Sequence, residues 1–275
     1  MDKKIISFAS DFGLSDGSVG IVKGVINRID PEIKIIDVSH GIKPHNVGSG
    51  SLLLMRAIQY LPNGVLLGVV DPGVGTDRKA VALETEWGYM VGPDNGLLNL
   101  AAATVGGVTR AFELTNKEWI IPSEGSTFEA RDKFGPFAAA LASNTLPIEK
   151  VGPETDVELL QNLLIPLTEK KGNIIEGEAI WNDHYGNSQT NIDPADLNEV
   201  GISHNSLIKL TIGETSHKVK WSRNYEEINE GKVGLVTDSW GMIAICMKNG
   251  SASSSAEISE GTKIHLSLDD SSKDE

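Results

Sequence analysis

V-V-D-P-G-V-G-T-D-R, residues 69–78, closes an apolar run that begins at Gly64 and turns sharply through Asp71, Pro72, Gly73 and Gly75. The run Gly64 to Val70 predicts a buried strand, and the proline and glycines after it predict a tight turn. An acidic side chain therefore stands where a strand ends. In an open α/β sheet the loops leaving the carboxyl ends of the strands form the ligand crevice. Arg78 follows in the same loop, placed to pair with Asp71 or with a bound molecule. On spacing alone the stretch suits a surface turn with a solvated aspartate equally well, because Asp and Gly favour turns for conformational reasons.

Upstream, Ile5 to Ala9 reads as a strand, Ser10 to Gly17 as a polar loop, and Ser18 to Ile29 as a helix with Val19, Val22, Ile26 and Ile29 on one face. The unit repeats as a strand at Ile33 to Val38, a loop at Ser39 to Pro44 and a helix from Asn46 to Leu61. Downstream, Ala80 to Thr85 and Tyr89 to Gly92 read as a hairpin, Asn95 to Val105 as a helix and Phe137 to Leu141 as a buried helix. Strands alternating with helices predict an α/β domain over residues 1–165, its mostly parallel sheet sandwiched by helices. The charged run Glu129-Ala130-Arg131-Asp132-Lys133-Phe134 reads by itself as a solvated helix start.

The pattern changes after Leu146. Residues 147–173 have little periodicity and five proline or glycine positions, which suits a linker. From Ile174 short β-rich runs follow at close intervals with no long helix, which predicts a smaller all-β barrel or sandwich over 174–268. The polar tail 269–275 is expected to be disordered. No internal repeat is evident.

At 275 residues with 40% hydrophobic content the chain suits a globular protein of one large or two modest domains. A formal charge of −14 argues against a nucleic-acid partner. No run approaches the roughly 18 apolar residues of a membrane span. The start Met1-Asp2-Lys3-Lys4 leads into a strand without a signal-peptide pattern, so a cytoplasmic protein with no membrane partner is expected. The single cysteine, Cys246, lies in an apolar run and reads as a core residue.

Taken in order, the loops carry a larger pattern. It comprises Ser10-Asp11-Phe12-Gly13, Val38-Ser39-His40 with Pro44, V-V-D-P-G-V-G-T at 69–76, V-G-P-D-N-G-L-L at 91–98 and T-F-x-x-R-D-x-F-x-P at 127–136. Asp183-His184-Tyr185-Gly186-Asn187, Thr190-Asn191 and Gly250-Ser251-Ala252 complete it. This ordered set resembles the S-adenosylmethionine hydroxide adenosyltransferase family, also called adenosylmethionine hydrolases, relatives of the fluorinase and chlorinase. The resemblance implies a homotrimer whose active sites lie between the first domain of one subunit and the second domain of the next. It implies that water or hydroxide attacks the ribose C5′ of S-adenosylmethionine to give adenosine and methionine.

By the same resemblance Asp71 and Arg78 match two members of an Asp-Arg-His triad, and Glu129 stands where the family has histidine. An ionised glutamate accepts hydrogen bonds but donates none. If Asp71 and Glu129 share Arg78, their repulsion is expected to raise one apparent pKa and supply a general base. Asp11 matches the acid that binds the ribose hydroxyls, Asp183 and Ser239 the positions that hold the methionine end, and Asn187 the one that reads adenine. Tyr185 replaces a phenylalanine that can stack on the base, and Ser251 and Ala252 complete the implied substrate-binding set. Trp240 falls where the fluorinase has arginine; His40 and His45 read as satisfied loop histidines. No metal-ligand cluster is visible, and no cofactor is expected beyond S-adenosylmethionine as substrate. The alternatives are a halogenase of the same fold, disfavoured by the charge on Asp71 and by Ala130 at a serine position, and a non-catalytic S-adenosylmethionine or adenosine sensor.

Overall fold

The computed structural model describes residues 4–269, and the chain divides into two compact units at Leu163/Leu164. The first unit runs β1 (Ile5–Ser10), α1 (Ser18–Ile29), β2 (Lys34–Ser39), α2 (Val47–Ile58), β3 (Val65–Val69), β4 (Ala80–Glu84), β5 (Tyr89–Pro93), α3 (Asn99–Thr104) and β6 (Arg110–Glu113). A turn of π-helix (Ala130–Phe134) then leads into α4 (Gly135–Ala142), and β7 (Glu154–Thr155) closes the sheet. The seven strands lie in the order β2-β1-β3-β5-β4-β6-β7. From the pairings, β2, β1, β3, β5 and β6 point one way, and β4 and β7 the other.

The central strand β3 explains why its sequence is an unbroken apolar run. Val65, Leu67 and Val69 pack into one core with Val22 and Ile26 of α1 and Phe137 of α4. Leu66 and the following Val70 point into a second core with Leu54 and Ile58 of α2 and Ala101 of α3. Both faces of a strand with period two are covered by helices, so neither face is polar. Each fully buried Val, Leu or Ile contributes about 1.5–3 kcal/mol relative to exposure.

The helices begin where local chemistry allows. Asn46 caps α2, its side chain accepting from the Ser49 amide at 2.9 Å. The helix expected from Asn95 starts instead at Asn99, because Asn95 is used as a turn. Its Oδ1 accepts from the Leu97 amide and its Nδ2 donates to the Val70 carbonyl at 2.9 Å. Gly92 in β5 crosses the backbone of β3 so closely that a Cβ on it would stand 2.4 Å from the Gly68 carbonyl oxygen. Gly92→Ala is expected to lower stability by about 1–3 kcal/mol, the usual penalty for overpacking, read as a lower urea midpoint at unchanged slope.

The second unit contains β8 (Glu169–Lys171), β9 (Ile174–Asn182), β10 (Ser188–Thr190), α5 (Pro194–Glu199), β11 (Leu207–Ile212), β12 (Thr215–Ser222), β13 (Val233–Thr237), β14 (Ile243–Met247), α6 (Ala252–Ser255) and β15 (Lys263–Leu268). Seven of these strands close a barrel in the order β10-β14-β13-β12-β11-β15-β9 and back to β10, with β8 attached outside on β9. Every neighbouring pair is antiparallel except β12–β13. Alternate residues fill the interior, as Ile208, Leu210 and Ile212 do along β11. Cys246 is fully buried beside Val236 and Ala244, and burial pushes its thiol up to about 12, so it is the packed core residue its surroundings predict. The tail read as disordered lies, apart from Asp269, outside the described residues.

Candidate active site

β1 and β3 are parallel neighbours, so the residues that follow them emerge side by side at one edge of the sheet. The Asp11 amide donates to the Val69 carbonyl at 3.3 Å, which ties the two exits together. From the second exit the turn doubles back through a Val74 amide bond to the Asp71 carbonyl and returns Arg78 to face Asp71. The Arg78 guanidinium grips Asp71 with two nitrogens: Nε donates to Oδ1 at 3.0 Å, and Nη2 donates to Oδ2. Nη2 also donates to Glu129 Oε2 at 2.5 Å, Nη1 donates to the Lys79 carbonyl at 2.9 Å, and the Phe134 ring lies beneath the guanidinium. Lys133 closes the row, its Nζ donating to Glu129 Oε1 at 2.5 Å.

The structure thus brings Asp71, Arg78 and Glu129 together, with side chains only 5, 10 and 15% exposed respectively. The run 129–134 is not the solvated helix start that its charges suggest. Ala130, Asp132 and Phe134 are buried, and the π-helical turn directs Glu129 inward.

The two carboxylates differ in electrostatics. Burial raises the Asp71 pKa above its ordinary value; the bonds from Arg78 offset this in part, and the nearby Glu129 charge adds to it. Burial also acts to raise Glu129, but the hydrogen bonds from Lys133 and Arg78 outweigh it and hold that carboxyl below the ordinary value. One pKa of the pair is indeed raised. Its cause is chiefly desolvation of Asp71, with repulsion second to it. Glu129 is held by two cations and is the weaker proton acceptor; Asp71, held by Arg78 alone, is the stronger.

A cavity of about 260 Å³ opens over this cluster, and Asp11, Phe12, His45 and Phe128 share its wall with Asp71 and Glu129. Asp11 is oriented by the His45 amide, which donates to Oδ2 at 2.8 Å from a left-handed residue with φ 66°. His40 is buried between Ser10 Oγ, at 2.7 Å from Nδ1, and Asp37, at 3.1 Å from Nε2. It is a satisfied histidine that anchors the end of β1.

The remaining expected residues lie on the barrel unit. Asp183 organises its own hairpin: Oδ1 accepts from the amides of Tyr185 and Asn187, and Oδ2 accepts from Asn187 Nδ2 at 2.8 Å. The Asn187 amide is thus braced on Asp183, and Tyr185 is 77% exposed beside it. The next hairpin repeats the device. Asp238 Oδ1 accepts from the amides of Trp240 and Met242, and Gly186 and Gly241 both take φ 83°. Residues 183–187 and 238–242 both read Asp-x-aromatic-Gly-x and join adjacent hairpins of the barrel, so the chain does contain a short repeat. Between them a cavity of about 370 Å³ is lined by Asp183, Asn187, Gln189, Arg223, Ser239 and Trp240, among others. Gln189, Arg223 and Asp238 were not expected there; the repeated motif was the signal that could have found Asp238.

Ser251 caps α6, its hydroxyl accepting from the Ser254 amide at 3.1 Å, and packs so tightly on the first hairpin that a Cβ on Gly186 would stand 2.0 Å from it. Ala252 is fully buried with its methyl in the barrel core, so only its backbone is available to a ligand.

A cavity over an acid-arginine-acid cluster at the carboxyl ends of the central strands of an α/β unit, in a chain that also carries a barrel with acid-braced, aromatic-tipped hairpins, defines the class, a two-unit α/β-plus-barrel protein. The comparisons give that class its family. The models of the SAM hydroxide adenosyltransferase N-terminal and C-terminal domains match residues 6–152 and 177–265, and the chain belongs to this family. It is 37% identical to the (R)-S-adenosyl-L-methionine hydrolase of Salinispora tropica, over 95% of this chain and 97% of that one. A fluorinase from Actinoplanes sp. is 28% identical over 76% of this chain and 78% of its own. The crystal structure of an uncharacterized conserved protein from Thermotoga maritima superposes with a TM-score of 0.85 at 32% identity, covering 95% of this chain and 99% of that one.

Proposed function

We propose that this chain hydrolyses S-adenosyl-L-methionine to adenosine and L-methionine by in-line attack of water at the ribose C5′. The observation that carries the reading is the buried Asp71-Arg78-Glu129 cluster facing a cavity whose other wall holds the half-buried Asp11. The oxygen of water bonds to C5′ as the C5′–S bond breaks, and its electron pair leaves with sulfur. The sulfonium departs as a neutral thioether, so the leaving group needs no acid and the reaction needs no cofactor. The proton released by water passes to Asp71, the carboxylate whose affinity for it is raised by burial. Arg78 fixes Asp71 in place, and Glu129 fixes Arg78. In this reading the Asp11 carboxylate accepts from the ribose hydroxyls, Tyr185 stacks on adenine, the Asn187 carbonyl accepts from its amino group, and Asp183, Ser239 and the Ser251-Ala252 turn complete the substrate contacts.

Those groups fall on two units of the chain, and membership of the family supports the further proposal of a homotrimer in which each site is completed by a neighbouring copy. The substrate is a cytoplasmic metabolite, and that is where we place the reaction.

Incubation with S-adenosylmethionine in ¹⁸O-water, with and without chloride or fluoride, tests the proposal by mass analysis of the nucleoside. Adenosine labelled at the 5′ oxygen is expected, and Glu129→Gln is expected to slow its formation on the order of 10²-fold, as misplacement of a reacting group does. A halide-dependent 5′-halonucleoside would replace the hydrolase by a halogenase. Ligand bound without turnover would make the chain a sensor.

A further inference from the structure

Glu129 is the one member of the cluster that departs from the family pattern, and it does not stand alone. In T-F-x-x-R-D-x-F-x-P the variable positions include both 129 and 133, and here they carry glutamate and lysine on one turn. Their side chains meet at 2.5 Å, four residues apart, with the Lys133 side chain 22% exposed behind Glu129. The row Asp71, Arg78, Glu129, Lys133 therefore alternates in sign and sums to zero.

We propose that Lys133 is a positioning residue for the hydrolysis, neutralising Glu129 so that the pair presents Arg78 with no more net charge than a neutral side chain would. The proposal rests on the hydrolase reading. Without Lys133 the partly buried cluster carries an excess negative charge, and Asp71 and Glu129 compete for one guanidinium. A proton is then retained on the cluster to higher pH, and the base that should receive the water proton is already occupied. Arg78 does not supply the missing charge, because it is already shared between both carboxylates and the Lys79 carbonyl. The other ionisable groups around the cluster are Arg131 and Asp132 on the same turn, paired with each other at 2.6 Å, Asp94, which feels Arg78 and Lys79 from the end of β5, and Asp11 and His45 across the cavity. None of these is placed on Glu129. Lys133 is not among the residues that line the cavity and its bond is to Glu129, so it reaches Asp71 through Glu129 and through the net charge of the row.

The test uses the full-length chain and four variants: Lys133→Met, Lys133→Arg, Glu129→Gln and the double variant Glu129→Gln/Lys133→Met. For each, kcat/KM for S-adenosylmethionine is measured against pH, and the Asp71 carboxylate is titrated by carbon-13 NMR without substrate. Lys133→Met is expected to move the acid limb and the Asp71 titration up by about one pH unit. Glu129→Gln, which removes the negative charge that raises Asp71 and leaves the row one positive charge in excess, moves both down. The double variant, neutral again, returns both toward the wild-type position although its rate stays low, and Lys133→Arg keeps the wild-type profile. An unmoved limb and titration in Lys133→Met would overturn the proposal, as would a defect that Glu129→Gln does not correct, since that is the signature of a merely structural lysine. If the wild-type chain forms no adenosine, the hydrolase reading falls, and the Asp71 titration still decides whether Lys133 balances Glu129.

Discussion

Arg78→Met is expected to unfold about 3–5 kcal/mol more easily than the native chain, because it strands the nearly buried Asp71 carboxylate and leaves Glu129 to Lys133 alone. The loss depends on pH, and its sign follows from the partners. In the variant the Asp71 pKa, already raised, rises further with its only cation gone, so that group penalises the folded state once pH climbs through the raised value. Acidification below the unfolded pKa values relieves the penalty, and urea midpoints of variant and native chain should converge there. In the native chain the two acids oppose each other. The depressed Glu129 adds stability that is lost on acidification, and the raised Asp71 removes some stability at neutral pH. A variant as stable at pH 8 as the native chain would show that the guanidinium is not what compensates these charges. Arg78→Lys should recover part of the stability only, since an ammonium cannot reproduce the two-nitrogen grip on Asp71 and the bond to Glu129 together.

Asp71→Asn should leave the fold intact, because an amide oxygen still accepts from Arg78, yet lower kcat by about 10²–10⁴-fold as the group that takes the water proton is lost. Single-turnover formation of adenosine measures the rate, and adenosine binding by calorimetry should stay within a few-fold of the native chain. The acid limb of the pH profile should vanish with it. A kcat within a few-fold of native would remove Asp71 from the chemistry and leave proton transfer to bulk water.

The parts of this architecture that could be read ahead were those whose information is local. β3 announced itself because helices cover both of its faces, and α1 because Val19, Val22 and Ile26 recur on one side. The turn after β3 placed Asp71 and Arg78 in one loop. β6, β7, β10 and α5 escaped because they span two to six residues, too short to show a period. The start of α3 was set by the Asn95 side chain bonding across to Val70, a tertiary contact. Closure of the barrel depends on β10 finding β14, Ser188 opposite Ile245, and no local pattern encodes that pairing.

The site divides in the same way. Glu129 sits 51 residues from Arg78 and entered by resemblance to a family. Lys133 had no signal at all, since alternating charge is the ordinary dress of a solvated helix, and only the π-helical turn carries Glu129 inward with Lys133 behind it. The duplicated hairpin was present in the sequence as Asp-x-aromatic-Gly-x, but a five-residue repeat acquires meaning only once the two copies are seen on adjacent strands.

The single parallel pair in the barrel has a consequence for how this protein can be altered. Two antiparallel strands can be joined in a couple of residues, whereas β12 and β13, running the same way, oblige the chain to double back before it re-enters beside the end of β12. The returning segment, residues 223–232, supplies Arg223, Asn224 and Tyr225 to the wall of the barrel cavity. Its length is therefore a debt of topology that the ligand site has put to use. Deletions there should reach the strand order before they reach specificity, and redesign of the ligand preference has its freedom in side chains on that crossover, with its span left as it is.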